Sequence, residues 1–242
     1  AWNWKANGAG VSNTNGTIAS TVSANVDAGF SIVMYTGNSS ANQTIGHGLS
    51  SAPELIIVKK RGQTSDWPVY HSGLSGANYR IRLNSTGGQD TTNNPWNSTV
   101  PTSSVFTVKS DAGNVNTSSQ SHIAYAFHSV TGYSKVGSYT GNGSTDGPFV
   151  HCGFRPALVI NKMSSGTGPW TVFDSARVTY NVNNAKLYPN ASDAEITTTG
   201  DPIDFLSNGY KMRGSGSDCN LNGATYIFIA FAAHPFKYTN AR

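Results

Sequence analysis

The chain carries its own sequence twice. Gly29-Phe-Ser-Ile-Val-Met-Tyr-Thr-Gly-Asn38 returns as Gly132-Tyr-Ser-Lys-Val-Gly-Ser-Tyr-Thr-Gly-Asn142, and the correspondence runs on toward the C-terminus. Pro53 and the Glu-Leu-Ile-Ile-Val-Lys-Lys after it match Pro156 and Ala-Leu-Val-Ile-Asn-Lys-Met. Trp67-Pro-Val-Tyr-His-Ser72 matches Trp170-Thr-Val-Phe-Asp-Ser175, and His122-Ile-Ala-Tyr-Ala-Phe127 matches Tyr226-Ile-Phe-Ile-Ala-Phe231. A period of roughly 100 residues is a whole small domain, too long for one unit of a solenoid or propeller. The expected organisation is therefore two similar domains, 29–131 and 132–242, behind a segment 1–28. Two such domains in series suit binding or architectural roles better than one catalytic cleft.

Ala1-Trp-Asn-Trp4 repeats the small–aromatic rhythm of Ala124-Tyr-Ala-Phe127, and so is expected to be the end strand of a preceding repeat. The alternative is a free N-terminal strand of the first domain. Residues 5–28 are rich in Gly, Asn, Ser and Thr and read as an extended linker, coil with at most a short strand.

From Gly29 onward, short β-branched and aromatic runs alternate with Gly, Asn, Asp, Ser and Pro clusters. About seven strands per repeat and no long helix predict an all-β fold of two β-sandwich (jelly-roll-like) domains. Tyr79-Arg-Ile-Arg-Leu83 alternates strictly, which predicts Arg80 and Arg82 pointing to solvent. Leu55-Ile-Ile-Val58 and Leu158-Val-Ile160 are continuously apolar, as in central strands covered on both faces. Trp67 and Trp170, at matched positions, are expected in the core.

Composition narrows the function classes. Charged residues make up 12% of the chain, so hydroxyls and amides solvate its surface. The net charge of +4 is not gathered into a Lys/Arg stripe, which argues against nucleic-acid binding. No apolar run reaches the roughly 20 residues of a membrane-crossing helix. Cys152 and Cys219 both fall in the second repeat, where the first has His47 and the Val115 region. They are expected as free thiols, with an intradomain bridge as the alternative.

Candidate chemistry is sparse. Asp193-Ala-Glu195 and Asp201-Pro-Ile-Asp204 could supply paired carboxylates for glycoside hydrolysis, yet neither recurs in the first repeat. The histidines do not cluster, and His47 is expected to brace a turn. The Asn/Asp-rich loops Ser110–Ser121 and Gly214–Ala224 offer too few acidic oxygens for calcium and read as solvated turns. No metal, cofactor or catalytic residue is expected. Trp96, in Asn93-Asn-Pro-Trp-Asn97, and Tyr180, in Val178-Thr-Tyr-Asn-Val182, are the ligand-binding candidates: a sugar ring can stack on an exposed aromatic face while nearby amides bond its hydroxyls. The competing reading has each plugging the edge of its own sandwich.

Tyr-Thr-Gly-Asn, Gly46-His-Gly-Leu49 with Ala52-Pro53, Pro101-Thr-Ser-Ser-Val-Phe-Thr107, Asp146-Gly-Pro-Phe149, Gly153-Phe-Arg-Pro156 and Pro235-Phe-Lys-Tyr-Thr-Asn-Ala-Arg242 together resemble a repeat family of uncharacterised, mainly marine, bacteriophage proteins. Such proteins are usually considered tail-fibre or other virion-surface components, and they have no assigned site residues. The resemblance implies a non-enzymatic virion appendage protein at the virion surface. Its implied partners are other virion subunits, further copies of itself and host-surface glycan. A capsid decoration protein and a secreted bacterial lectin or adhesin are the alternatives, and a tailspike-like glycan hydrolase is a more distant one.

Overall fold

The computed structural model describes residues 2–110, 112–197 and 199–234. Ala1, Asp111 and the 235–242 motif quoted above lie outside them. The described residues fall into two compact units. Unit 1 holds those up to Leu83 together with Gln89–His128; unit 2 holds Asn84–Gly88 and those from Ser129 on. The molecule is all-β.

In unit 1 the strands are β1 (Val11–Asn13), β2 (Ser20–Asn25), β3 (Phe30–Thr36), β4 (Gln43–Gly46), β5 (Leu55–Lys60), β6 (Pro68–His71), β7 (Ile81–Arg82), β8 (Val105–Val108) and β9 (Ser121–Phe127). Seven of them form one antiparallel sheet in the order β1-β2-β3-β9-β5-β6-β7, and β4 pairs with β8. The core gathers inward residues of the large sheet (Val22, Val33, Tyr35, Ile56, Val58, Ala124, Ala126) with Ile45, Phe106 and Val108 of the β4–β8 ladder. Successive strand side chains point to opposite faces, so one apolar residue in two suffices to line this core.

Unit 2 has β10 (Ser134–Thr140), β11 (Phe149–His151), β12 (Pro156–Met163), β13 (Trp170–Asp174), β14 (Ala185–Lys186), β15 (Ile196–Thr197), β16 (Ile203–Leu206), β17 (Gly209–Met212), a single helical turn α1 (Ser217–Asn220) and β18 (Thr225–Ala232). Its sheets run β10-β18-β12-β13 and β11-β17-β16, with β14 paired to β15. Val159, Phe173, Phe228 and Ala230 of the first meet Val150, Phe205, Tyr210 and Met212 of the second in the core.

Several expectations need correction. Residues 5–28 are not a linker: β2 pairs with β3 along its whole length, from Ser20 opposite Tyr35 to Asn25 opposite Phe30. Ile18, Ser20 and Val22 are the buried ones, and Ser20 Oγ donates to the Gly46 carbonyl at 2.8 Å. The inward positions thus repeat every two residues, with a serine among them, so the apolar residues alone do not mark the strand. Arg80 does not reach solvent. It is 3% exposed, bonds Asp90 at 3.2 Å, and the strand there is only two residues long. An ion pair has overridden the alternation. Finally, Trp67 is half-buried beneath the Lys59 ammonium, 5.5 Å from the ring, while Trp170 is buried as expected.

The repeated Tyr-Thr-Gly-Asn runs do the same work in each unit. The Tyr35 hydroxyl donates to the Val115 carbonyl (2.6 Å), as that of Tyr139 does to Cys219 (2.9 Å). The Asn38 N–H donates to Asn116 Oδ1 (2.9 Å), and the Asn142 N–H to Asn220 Oδ1 (2.8 Å). A Cβ at Gly37 or Gly141 would overlap backbone of the same facing loop, so the glycine permits the close approach. Both loops, expected as solvated turns, are instead tucked onto the core, with Val115, Asn116, Cys219 and Asn220 buried.

Candidate functional site

The two aromatic candidates separate cleanly. Trp96 is 1% exposed, packs edge-on to Tyr70 at 6.0 Å between ring centres, and belongs to the unit 1 core. It cannot stack a ligand, which corrects the expectation drawn from its polar neighbours. The four flanking Asn, Pro and Asn positions form turns that let the chain dip and bury the indole. Tyr180 is 83% exposed, with Val182 and Leu187 of the same unit also exposed.

The segment carrying Tyr180 is held at both sides. Asn181 exchanges two 3.0 Å bonds with the Phe205 backbone, Nδ2 donating to the carbonyl and Oδ1 accepting from the N–H. Asn183 pairs its backbone with Ile203 and donates from Nδ2 to the Asp174 carbonyl at 2.8 Å. Before Tyr180, Arg177 bonds Asp174 (2.5 Å), Glu195 and the Val172 carbonyl (3.0 Å). The exposed ring therefore stands on a loop whose neighbouring amides and guanidinium are committed to holding it in place, leaving the aromatic face open for stacking.

The carboxylates considered for hydrolysis are nearly all held by cations. Asp201 bonds Lys186 at 2.7 Å, Asp204 bonds Arg213 at 2.5 Å, and Glu195 bonds Arg177; Asp193 is exposed. Burial alone would raise the Asp174 carboxyl, but hydrogen bonds from Arg177 carry it below the usual carboxylate range.

His47 is fully buried. Its Nε2 donates to the Thr102 carbonyl (3.1 Å) and its Nδ1 accepts from the Leu49 N–H (3.1 Å), so the ring braces the turn as expected. Desolvation lowers its pKa and the Thr102 bond opposes that shift. Cys152 follows β11 as His47 follows β4. Both cysteines are free and buried; burial pushes the Cys152 thiol up to about 12 and raises Cys219 as well, so neither is a reactive thiolate. Among the described residues there is no group of three or more His, Cys, Asp or Glu that could hold a metal. None of their helices is long and apolar enough to cross a membrane, which says nothing of strands.

One cluster escaped sequence reasoning. Lys186 of β14 meets Asp201 and Asp218, partners 15 and 32 residues away, and no local spacing announces them. Asp218 sits in the loop that had been weighed for calcium, and there it serves a lysine.

Against protein-family models, residues 1–235 match one described as a domain of unknown function (DUF7483), a single model spanning both units. No curated protein and no solved structure matches the chain.

Proposed function

The chain belongs to the DUF7483 family, and we propose that it is a non-enzymatic structural protein of a bacteriophage virion appendage, a tail or fibre component. In this reading it assembles with other virion subunits and with copies of itself, and offers the Tyr180 loop to host-surface glycan. The observation that carries it is the fate of the ionisable groups. The buried carboxylates Asp174, Asp201 and Asp204 are each held by a cation, while among the described residues the most exposed large apolar side chain is an aromatic ring on a braced loop. Such a surface binds without transforming what it binds. The phage motifs in the sequence supply the setting, and display in several copies raises weak glycan contacts to useful avidity.

The test is to purify particles and follow this chain through sedimentation. Co-sedimentation at fixed stoichiometry, with the chain located in an appendage by labelled imaging, is the expected result. Location over the capsid would favour a decoration role, and absence from particles would overturn the reading. On a glycan array, Tyr180→Ala should abolish any binding shown by the parent chain.

A further inference from the structure

Among the described residues of unit 2 two lysines are buried, and they face different chemistry. The Lys162 ammonium lies against the carbonyls of Thr86 (3.2 Å) and Met163 (2.6 Å), which offer hydrogen bonds and nothing to react with. Lys186 Nζ lies 2.7 Å from Asp201 Oδ2 and 2.7 Å from Asp218 Oδ2, with its side chain 3% exposed and those of the aspartates 9% and 18%. The Tyr188 hydroxyl donates to Asp218 Oδ2 at 2.5 Å, and its ring lies 5.2 Å from the ammonium. The other oxygen of Asp201, Oδ1, is buried and has no hydrogen-bond partner among the described residues. The Gly216 backbone packs so closely on that carboxyl that a Cβ there would overlap it.

This arrangement is poor as an ion pair. Two carboxylates share one ammonium, and a carboxylate oxygen is left unsatisfied away from water, which is costly. It is well arranged for condensation. We propose that Lys186 and Asp201 are the two halves of a self-forming isopeptide cross-link, with Asp218 as the proton-transfer group. Lys186 Nζ gives a proton to Asp218 and attacks Asp201 Cγ. A C–N bond forms, and one Asp201 oxygen leaves as water with protons relayed through Asp218. Ammonium plus carboxylate thus becomes amide plus water, with no oxidant, reductant or activating group required. The reaction removes both buried charges and one carboxylate oxygen, and holding the partners in contact replaces a bimolecular encounter. Burial pulls the lysine pKa down, but the hydrogen bonds that Lys186 donates to Asp201 and Asp218 raise it overall, so the ammonium form precedes reaction and the proton transfer is a necessary step. The proposal does not depend on the function assigned above.

Intact-mass measurement of the full chain under denaturing conditions tests it. The expected mass is one water below that of the sequence, with a branched peptide joining Lys186 to Asp201 after digestion. Lys186→Arg, which keeps a cation in place, should restore the full mass. Asp218→Asn should leave the chain unlinked or link it at least ten-fold more slowly. A full-mass parent chain with Lys186 in a linear peptide overturns the proposal. So does a water loss with only linear peptides, which is succinimide formation, or a branch from Lys186 to Asp218. The parent measurement decides even if a variant fails to fold.

Discussion

Midway along the sheet of unit 1, Val33 lies opposite Ala124; at the matching place in unit 2, Gly137 lies opposite Phe228. The large and small partners have exchanged strands. A Cβ on Gly137 would come within 2.8 Å of the Phe228 ring, so the glycine is the complement of that ring. Two other pairs differ in chemistry at constant geometry. Tyr35 stacks on His122 and Tyr139 on Tyr226, each at 5.1 Å and 10°. Under the adjoining turn, unit 1 has buried His47 where unit 2 has Cys152. What the units share is a set of bonds and shapes, and the residues filling them have changed in pairs. The sheets also end differently: β3 is covered by β2, whereas β10 closes its sheet's order and has Val130 and Ser129 bonded to its first half. A short local bridge does there what an added strand does in unit 1.

The exchanged pair offers the largest test. Phe228→Ala should cost about 3–5 kcal/mol in chemical denaturation, as a large buried ring is lost. Gly137→Val alone should also destabilise by overpacking, while the double variant should be more stable than the sum of the two by about 1–3 kcal/mol. Additivity would mean that the two positions do not compensate. Trp96→Ala belongs in the same range of about 3–5 kcal/mol, and a neutral result would return that ring to the surface.

Next come the loop-holding asparagines. The Asn220 side chain bonds Asn142, Ser144 and Gly214, whereas among the described residues that of Asn116 bonds Asn38 and Ser40. Each unsatisfied buried group costs about 1–3 kcal/mol, so Asn220→Ala should be the more damaging of the two alanine variants. Hydrogen exchange in 214–224 and 112–121 would show whether each loss stays within its own unit. Equal losses would mean that the Gly214 bond contributes nothing.

The His47/Cys152 difference predicts a pH response confined to unit 1. With the folded pKa of His47 below the unfolded 6.5, its neutral form favours folding above that value. Stability is lost as pH falls below 6.5, because the unfolded chain takes up the proton first. His47→Gln should flatten this part of the denaturation profile, and an unchanged acid slope would reject the assignment. The smallest effect is expected at Tyr180: Tyr180→Ala should shift stability by no more than about 0.5 kcal/mol while removing glycan binding.

Strands were legible wherever they carried their own dense β-branched and aromatic run, as in Phe30–Thr36 and Thr225–Ala232. β2, which puts hydroxyls on its inward face, and β15 and β16, of two and four residues, gave no periodic signal. The candidate site divided similarly. Tyr180 could be picked out as an aromatic in an Asn-rich loop, but Trp96 has the same sequence surroundings. Only the packing of Tyr70 and its neighbours distinguishes a buried ring from a displayed one.

From the order of residues alone came the duplicated pattern, the all-β class, the free thiols and the bracing role of His47. These depend on periodicity and side-chain type, which act over a few positions. Tertiary structure alone decided that residues 5–28 complete a sheet, that Arg80 is buried, and that Lys186 meets Asp201 and Asp218. Each of these joins groups far apart along the chain, and the free energy of burying them together depends on neighbours that no local window contains.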